Sequence, residues 1–271
     1  MPDINARFQG SIPEFYDRHL GPVIFEPYAD DLAGRLSIEG SGSLLEVACG
    51  TGILTARLRR RMPSDVSLVA TDLNQPMIDH ARMRVKDADR IEWRTADAAA
   101  LPFADRTFAG VACQFGLMFV PDKDAAFREA RRVLVDRGLF AFNVWDGFAN
   151  NSFGRIAHET IGNFFRSDPP TFYQVPFGFN DPTRLRRLLA TNGFVDVSLE
   201  HVALEARSPS ARSFALGLVK GNPVIIPIAE RGIDVDAVVD AVANALAKVG
   251  GESPFRAPMQ ALVVTARAGV R

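Results

Sequence analysis

Three acidic residues stand where apolar runs end, and their order along the chain suggests a ligand. Glu46 lies within LLEVACGTGILT (44–55), Asp72 closes VSLVATD (66–72), and Asp97 closes IEWRTAD (91–97). A carboxylate at the mouth of a strand can accept hydrogen bonds from the hydroxyl, amino or ammonium groups of a small molecule. After Glu46 the chain passes through the small residues Ala48, Cys49, Gly50, Thr51 and Gly52 before helical spacing begins at Leu54. Glycines there let a ligand touch the backbone, and the next helix begins with N–H groups that have no partner inside it. Asp72 follows Gly52 by 20 residues, the separation at which an acid on the second strand of a nucleotide-binding unit meets ribose hydroxyls. A tight turn plus an acidic helix cap would explain Gly50, Gly52 and Asp72 without any ligand. Asp97, followed by Ala98, has no part in that simpler account.

Other chemistries fit less of the chain. A dinucleotide fingerprint reads G-x-G-x-x-G, whereas the string from Gly50 is GTGILT, with Thr55 at the third glycine position. An NAD(P)-dependent oxidoreductase is therefore the lesser alternative. Two cysteines, Cys49 and Cys113, and four scattered histidines are too few for a thiolate zinc site, so no metal is expected. Cys113 has no base near it in the sequence and reads as packing. If a general base is needed, His19 or His158 would supply it, although each also suits a surface or packing role; His80 and His201 fit less well, and no catalytic residue is assigned. Tyr16 fits a residue that closes over a ligand and a core residue equally. Arg57, Arg59, Arg60 and Arg61 form a basic run, but in the last turn of a helix, where positive charge suits the macrodipole.

The elements that must position these residues follow from hydrophobic spacing. Strands are expected at 43–48, 66–72, 91–97, 108–115 and 139–145, alternating with helical stripes. Those stripes are Leu54, Leu58, Met62; Ile78, Ala81, Val85, with Pro76 in the first turn; and Phe127, Ala130, Leu134. Gly138 is expected to break the last of these helices. The first forty residues carry apolar positions for one or two helices. Residues 147–180 hold eight aromatics, far above the 9% of the whole chain, so this segment is expected to cover something apolar. A helix over 182–191 with a left-handed cap at Gly193, a strand at 195–204, helices near 210–220 and 234–249, and a strand at 259–268 complete the chain.

Composition narrows the class. With 31 Lys and Arg against 32 Asp and Glu, the net charge of −1 gives no global attraction to nucleic acid or anionic membrane. No apolar run approaches the roughly 20 residues that span a bilayer, and no signal-peptide segment is visible, so a cytoplasmic protein is expected.

Four blocks now stand in order: LLEVACGTG, VATDLNQPMI, TADAAALPFADRTFAGVACQFGLMFVPD and FREARRVLVDRGLFAFNVW. Together they resemble the class I S-adenosylmethionine-dependent methyltransferases, in particular the group that includes ubiquinone and menaquinone biosynthesis methyltransferases, over about residues 40–145. The resemblance implies a Rossmann-like, doubly wound α/β fold: a mostly parallel seven-stranded sheet, last strand antiparallel, with helices on both faces. It implies one domain, with N-terminal lid helices (1–40), a cofactor core (41–146), an aromatic substrate-covering insertion (147–180) and C-terminal strands and helices (181–271). It implies S-adenosylmethionine as cofactor and S-adenosylhomocysteine as product. By the resemblance, Glu46 and Ala48, Cys49, Gly50, Thr51 and Gly52 would hold the methionine part, and Asp72 the ribose. Leu73 and Met77 would flank the adenine, Asp97 and the Ala98 N–H would meet its edge, and Gln114 and Phe115 would border the sulfonium, with Tyr16 closing above. Ala48 departs from the pattern, since many relatives have Gly there. The implied reaction is methyl transfer to a small, partly apolar acceptor, not nucleic acid, by a monomer or homodimer. A cofactor-binding protein without turnover, serving as an interaction or regulatory subunit, is the alternative.

Overall fold

The chain forms seven strands: β1 (Ser43–Val47), β2 (Ser67–Asp72), β3 (Ile91–Thr95), β4 (Phe108–Gln114), β5 (Leu134–Trp145), β6 (Phe194–Ser208) and β7 (Phe255–Ala268). The structure is a computed structural model and describes residues 4–36 and 42–270. The helices are α1 (Ile12–Phe15), α2 (Glu26–Arg35), α3 (Ile53–Arg61), α4 (Gln75–Arg84), α5 (Lys123–Val133), α6 (Ser152–Gly162), α7 (Pro182–Thr191), α8 (Ala211–Lys220), α9 (Ile225–Glu230) and α10 (Val235–Gly250). The expected boundary at residue 40 lies outside the described residues.

The strands form one sheet in the order β3-β2-β1-β4-β5-β7-β6. The pairs β3-β2, β2-β1, β1-β4 and β4-β5 are parallel, and β7 is the antiparallel member. Inner strands β1, β2 and β4 are buried along nearly their whole length, the pattern of a parallel sheet covered on both faces. The chain first winds outward from β1 to β3, then returns to the other side of β1 for β4 and β5. Right-handed crossovers therefore put α3 and α4 on one face and α5 on the other. This reversal beside β1 is where an open α/β sheet leaves a crevice for a ligand, beyond the carboxyl ends of its strands.

Several boundaries differ from the spacing. Leu134 belongs to β5, paired with Phe108, and α5 already ends at Val133. Gly138 therefore breaks no helix. It lies in β5, where a Cβ would meet the carbonyl oxygens of Val135 at 2.9 Å and Ala109 at 3.2 Å, next to Arg137 at φ 63°. β3 ends at Thr95, so Asp97 sits in the following turn, bridged to Ala100. The N-terminal segment is helical as expected, but Tyr16–Phe25 forms a π-helix with Pro22 inside it. Gly193 has the left-handed φ (78°) expected of the α7 cap. Among the described residues, no helix is long and apolar enough to cross a membrane.

Two compact units divide the chain. One comprises Tyr28–Val144, Asn180–Val202 and Ala261–Arg271; the other comprises Met1–Pro27, Trp145–Phe179 and Ala203–Gln260. The second unit owes its core to the aromatic segment. Phe153 is 1% exposed and lies 5.4 Å from Phe214, itself 5.3 Å from Phe255 by ring centroids. Phe177 packs beside Phe153, and a Cβ on Gly154 would come within 2.3 Å of the Phe177 ring. A buried polar group accompanies this core. Asn151 Nδ2 donates to the carbonyls of Asp146 (2.9 Å) and Gln260 (3.0 Å), its Oδ1 accepts from the Gln260 N–H, and the Asp146 carboxylate accepts from Gly147, Asn150 and Gln260. The aromatic richness of 147–180 thus has a packing cause within its own unit.

Candidate functional site

The turn between β1 and α3 is built from left-handed backbone. Ala48 has φ 55°, Gly50 55° and Gly52 80°. Cys49 N–H donates to Thr71 O at 2.8 Å and Gly52 N–H to Cys49 O at 3.0 Å, which ties the turn to the end of β2. The two glycines serve different ends. A Cβ on Gly50 would meet nothing within 4 Å, so that face is open to a ligand. A Cβ on Gly52 would meet Val85 Cγ2 at 2.7 Å and Ala81 Cβ at 3.0 Å, so its absence lets the turn pack against α4. Steric clearance for a nucleotide is therefore a property of Gly50, and Gly52 answers to packing and backbone. Ala48 adopts a conformation that disfavours a side chain, and the room for its methyl group comes from Gly116. A Cβ on Gly116 would lie 2.3 Å from Ala48 Cβ and 2.9 Å from Cys113 Sγ.

Asp72 organises the mouth of this turn. Its Oδ2 accepts from Gly50 N–H at 2.9 Å, and its Oδ1 accepts from Asn74 N–H at 2.8 Å in an Asx-type turn. The backbone carries the line on, since Ala96 N–H donates to Asp72 O at 3.0 Å and so brings the Asp97 turn alongside. Burial raises the Asp72 pKa from its ordinary value, against the pull of the Asn74 and Gly50 N–H groups. A carboxylate oxygen has two acceptor positions, and Gly50 N–H takes one of those on Oδ2.

Glu46 is 1% exposed, and its Oε2 has no hydrogen-bond partner in the chain. Desolvation pushes its pKa up to about 8; Thr55 beside it opposes the rise in part, and the Asp72 charge adds to it. A buried, unpartnered carboxyl oxygen is costly, and an ammonium group on a ligand would satisfy it. The raised value has a sign that can be tested. The folded chain binds this proton more firmly than the unfolded chain, so Glu46 costs stability progressively as pH rises from the ordinary glutamate value near 4.5 through about 8. The melting temperature of Glu46→Gln is expected to gain on wild type across that interval and to run parallel to it above, in ligand-free thermal scans. A constant difference across pH would refute the assignment.

The remaining expected residues fall as follows. Leu73 is 42% exposed at the end of β2, whereas Met77 is buried at 3%, so only Leu73 offers open apolar surface. Asp97 is exposed and its Oδ1 accepts from Ala99 N–H at 2.8 Å, shaping the turn that includes Ala98. Gln114 ends β4 in register with Asn143, and Phe115 follows at φ 52°. Phe115 N–H donates to both the backbone oxygen (3.2 Å) and the Oδ1 (3.0 Å) of fully buried Asn143, which holds that left-handed residue. Thr51 and Cys49 are buried, and burial raises the Cys49 thiol well above its ordinary value and the Cys113 thiol to about 12. Neither sulfur is a ready nucleophile. Tyr16 belongs to the other unit, stacked on Phe25 at 4.6 Å and edge-on to Phe8.

His19 and His158 also lie in that unit. His19 Nδ1 is 3.1 Å from Ser213 Oγ, and burial lowers its pKa. His158 stacks on Phe148, and its Nε2 is 3.3 Å from Gln174 Nε2. Arg59, from the basic run, is buried, its guanidinium donating to the carbonyls of Met62, Pro63 and Val66. Residues absent from the expected set also shape the site: Asn74, Gly116 and Asn143. Asn74 had a sequence signal, an Asn two residues after an acid at a strand end. Gly116 and Asn143 act on partners 68 and 28 positions away and had none.

Several known proteins are similar to this chain. Residues 44–138 match the family described as Methyltransferase domain. The chain is 34% identical over 144 residues to a 2-phytyl-1,4-naphtoquinone methyltransferase of Thermosynechococcus vestitus, covering 52% of this chain and 64% of that one. It is 41% identical over 108 residues to a ubiquinone/menaquinone biosynthesis C-methyltransferase of Hahella chejuensis, with 37% and 43% covered. A demethylmenaquinone methyltransferase of Staphylococcus saprophyticus is 25% identical over 68% of this chain and 84% of its own. The chain thus spans less than two thirds of the first two relatives. Among solved structures, a Haemonchus contortus phosphoethanolamine N-methyltransferase in complex with S-adenosyl-L-methionine superposes at TM-score 0.63 with 15% identity, over all of this chain and 61% of that one. A [4+2]-cyclase, SpnF, superposes at 0.59 with 21% identity, over 91% and 82%.

Proposed function

We propose that the chain is a class I S-adenosylmethionine-dependent methyltransferase of the kind found in quinone biosynthesis, and that it transfers a methyl group to a small, partly apolar acceptor. The observation that carries the reading is the buried Glu46 carboxyl, with an oxygen lacking any partner, at the mouth of a strand-to-helix turn left open at Gly50. When bound, S-adenosylmethionine supplies a methyl group already activated by positive sulfur, so the protein's part is alignment and exclusion of water.

In this reading Glu46 Oε2 accepts from the ammonium group of the cofactor, and Asp72 Oδ2 accepts from a ribose hydroxyl. Leu73 lies against the adenine, while Asp97 and the Ala98 N–H meet its edge. Gln114 and Phe115 border the reacting sulfur, held there by Asn143. Within the aromatic segment, Phe153, Phe172, Tyr173 and Phe177 are consumed by packing. The names of the relatives make demethylated quinones the first acceptors to screen. We place this activity in the cytoplasm and assign no role in nucleic-acid binding; the oligomeric state, monomer or homodimer, is a matter for sedimentation.

Calorimetry tests the premise. S-adenosylmethionine and S-adenosylhomocysteine are expected to bind and NAD is not. Binding of NAD with no affinity for either sulfur compound would overturn the reading. The likeness to a [4+2]-cyclase shows that this fold hosts more than methyl transfer, so binding without turnover is the second reading. A screen with labelled methyl donor against lipophilic acceptors separates the two.

A further inference from the structure

The turn that carries Asp97 and Ala98 has little of its own to hold it. Asp97 is exposed, and the turn closes through one backbone bond from Ala100 N–H to Asp97 O at 3.0 Å and the bond from Ala99 N–H to the Asp97 carboxylate. Beyond it, residues 101–107 form no regular element, and Arg106 is left-handed at φ 53°. An exposed turn followed by an irregular stretch places its ligand groups loosely unless another element grips it.

That grip comes from the end of α5. Glu129 Oε2 accepts from Leu101 N–H at 2.7 Å, while Arg132 Nη2 donates to Leu101 O at 2.9 Å, so one side-chain pair holds both backbone groups of the residue that follows the turn. Arg132 Nη1 also donates to Phe103 O at 2.7 Å and to the Asp105 carboxylate at 2.9 Å. The pair is itself locked, Arg132 Nε to Glu129 Oε1 and Nη2 to Oε2, each at 2.7 Å, in a two-pronged arrangement that only a guanidinium can make. Backbone bonds from Arg106 N–H to Arg132 O and from Thr107 N–H to Val133 O continue the contact. A surface ion pair is worth little by itself. This one is bonded to three backbone groups, which fixes a loop in place.

We propose that Glu129 and Arg132 are positioning residues for base recognition: by gripping Leu101 they fix where Asp97 presents its acceptor and Ala98 its donor to the adenine edge. This rests on the proposed placement of the cofactor. Neither residue touches the ligand in this scheme, and the effect is on selectivity for the base.

The test compares binding of S-adenosylhomocysteine with S-inosylhomocysteine, in which the 6-amino donor is replaced by a carbonyl oxygen. Wild type is expected to prefer the adenine compound by at least about tenfold, the order of one charge-assisted hydrogen bond, and Asp97→Ala to lose that preference. Glu129→Gln and Arg132→Lys, checked for a native circular dichroism spectrum, are expected to bring the preference to within a few-fold, and Glu129→Gln added to Asp97→Ala to change it no further. If both affinities fall by the same factor in these variants, or neither changes, the pair is merely structural and the inference fails. If wild type binds both compounds equally, the Asp97 placement fails and the inference with it. Should wild type bind neither, the proposed function itself is wrong.

Discussion

Asp72→Ala is expected to weaken S-adenosylhomocysteine binding by at least about tenfold while the sheet remains folded. A hydrogen bond to a charged group contributes about 1.5–3 kcal/mol, and one or two would be lost to ribose. The structure adds a second route to the same loss. Asp72 also holds Gly50 N–H at 2.9 Å and Asn74 N–H at 2.8 Å, so its removal loosens the turn that shapes the pocket. Asp72→Asn separates the two, because its single oxygen can serve the turn or the ribose but has weaker acceptor power for either. The expected order of affinity is wild type, then Asn, then Ala, measured by calorimetry on protein shown to be folded. An unchanged dissociation constant in folded Asp72→Ala would remove this residue from the site.

Phe153→Ala is expected to lower unfolding free energy by about 3–5 kcal/mol, the range for buried aromatic truncations. Phe153 is 1% exposed and its ring meets Trp145, Phe177 and Phe214 at 6.1, 5.9 and 5.4 Å between centroids. The rings are held on α6, α8 and neighbouring chain and cannot all close on the void. Half-buried Phe164→Ala should cost much less. Urea denaturation of both variants measures the difference, and a loss at Phe153 no larger than at Phe164 would show that the aromatic segment is not the core of its unit.

Much of the sheet was legible in the residue order. Apolar runs bounded by turn residues located the inner strands β1, β2 and β4, because a parallel strand buried on both faces must be apolar along its length, whereas largely exposed β3 and β6 carry polar residues throughout. Two of the candidate site acids were legible for a related reason: Glu46 and Asp72 interrupt or end buried runs, where burial would penalise a carboxyl without a use, whereas exposed Asp97 stood out only by its place after a strand. The boundaries of helices were less so. Leu134 continues the spacing of Phe127 and Ala130 yet belongs to β5, because pairing with Phe108 outweighs a stripe that either element could use. In the N-terminal segment, apolar spacing indicated a helix but not that Tyr16–Phe25 would follow a π-helical path.

What the sequence determined by itself is therefore the seven strands, their alternation with helices over the first half of the chain, and the acids in or just after the strands, since each depends on residues within one run; helices α6 and α9 had no such signal. Only the tertiary structure decided why Gly52 must lack a side chain, which is Ala81 and Val85 above it. It also decided how Ala48 can occupy a left-handed turn, which is the empty place at Gly116, and which residues steady the Asp97 turn, which are Glu129 and Arg132. Each of these joins groups roughly 30 to 70 positions apart. Spacing along a chain reports which face of its own element a residue takes; which foreign atoms will stand against that face is set by how the strands are ordered and how the crossovers fall.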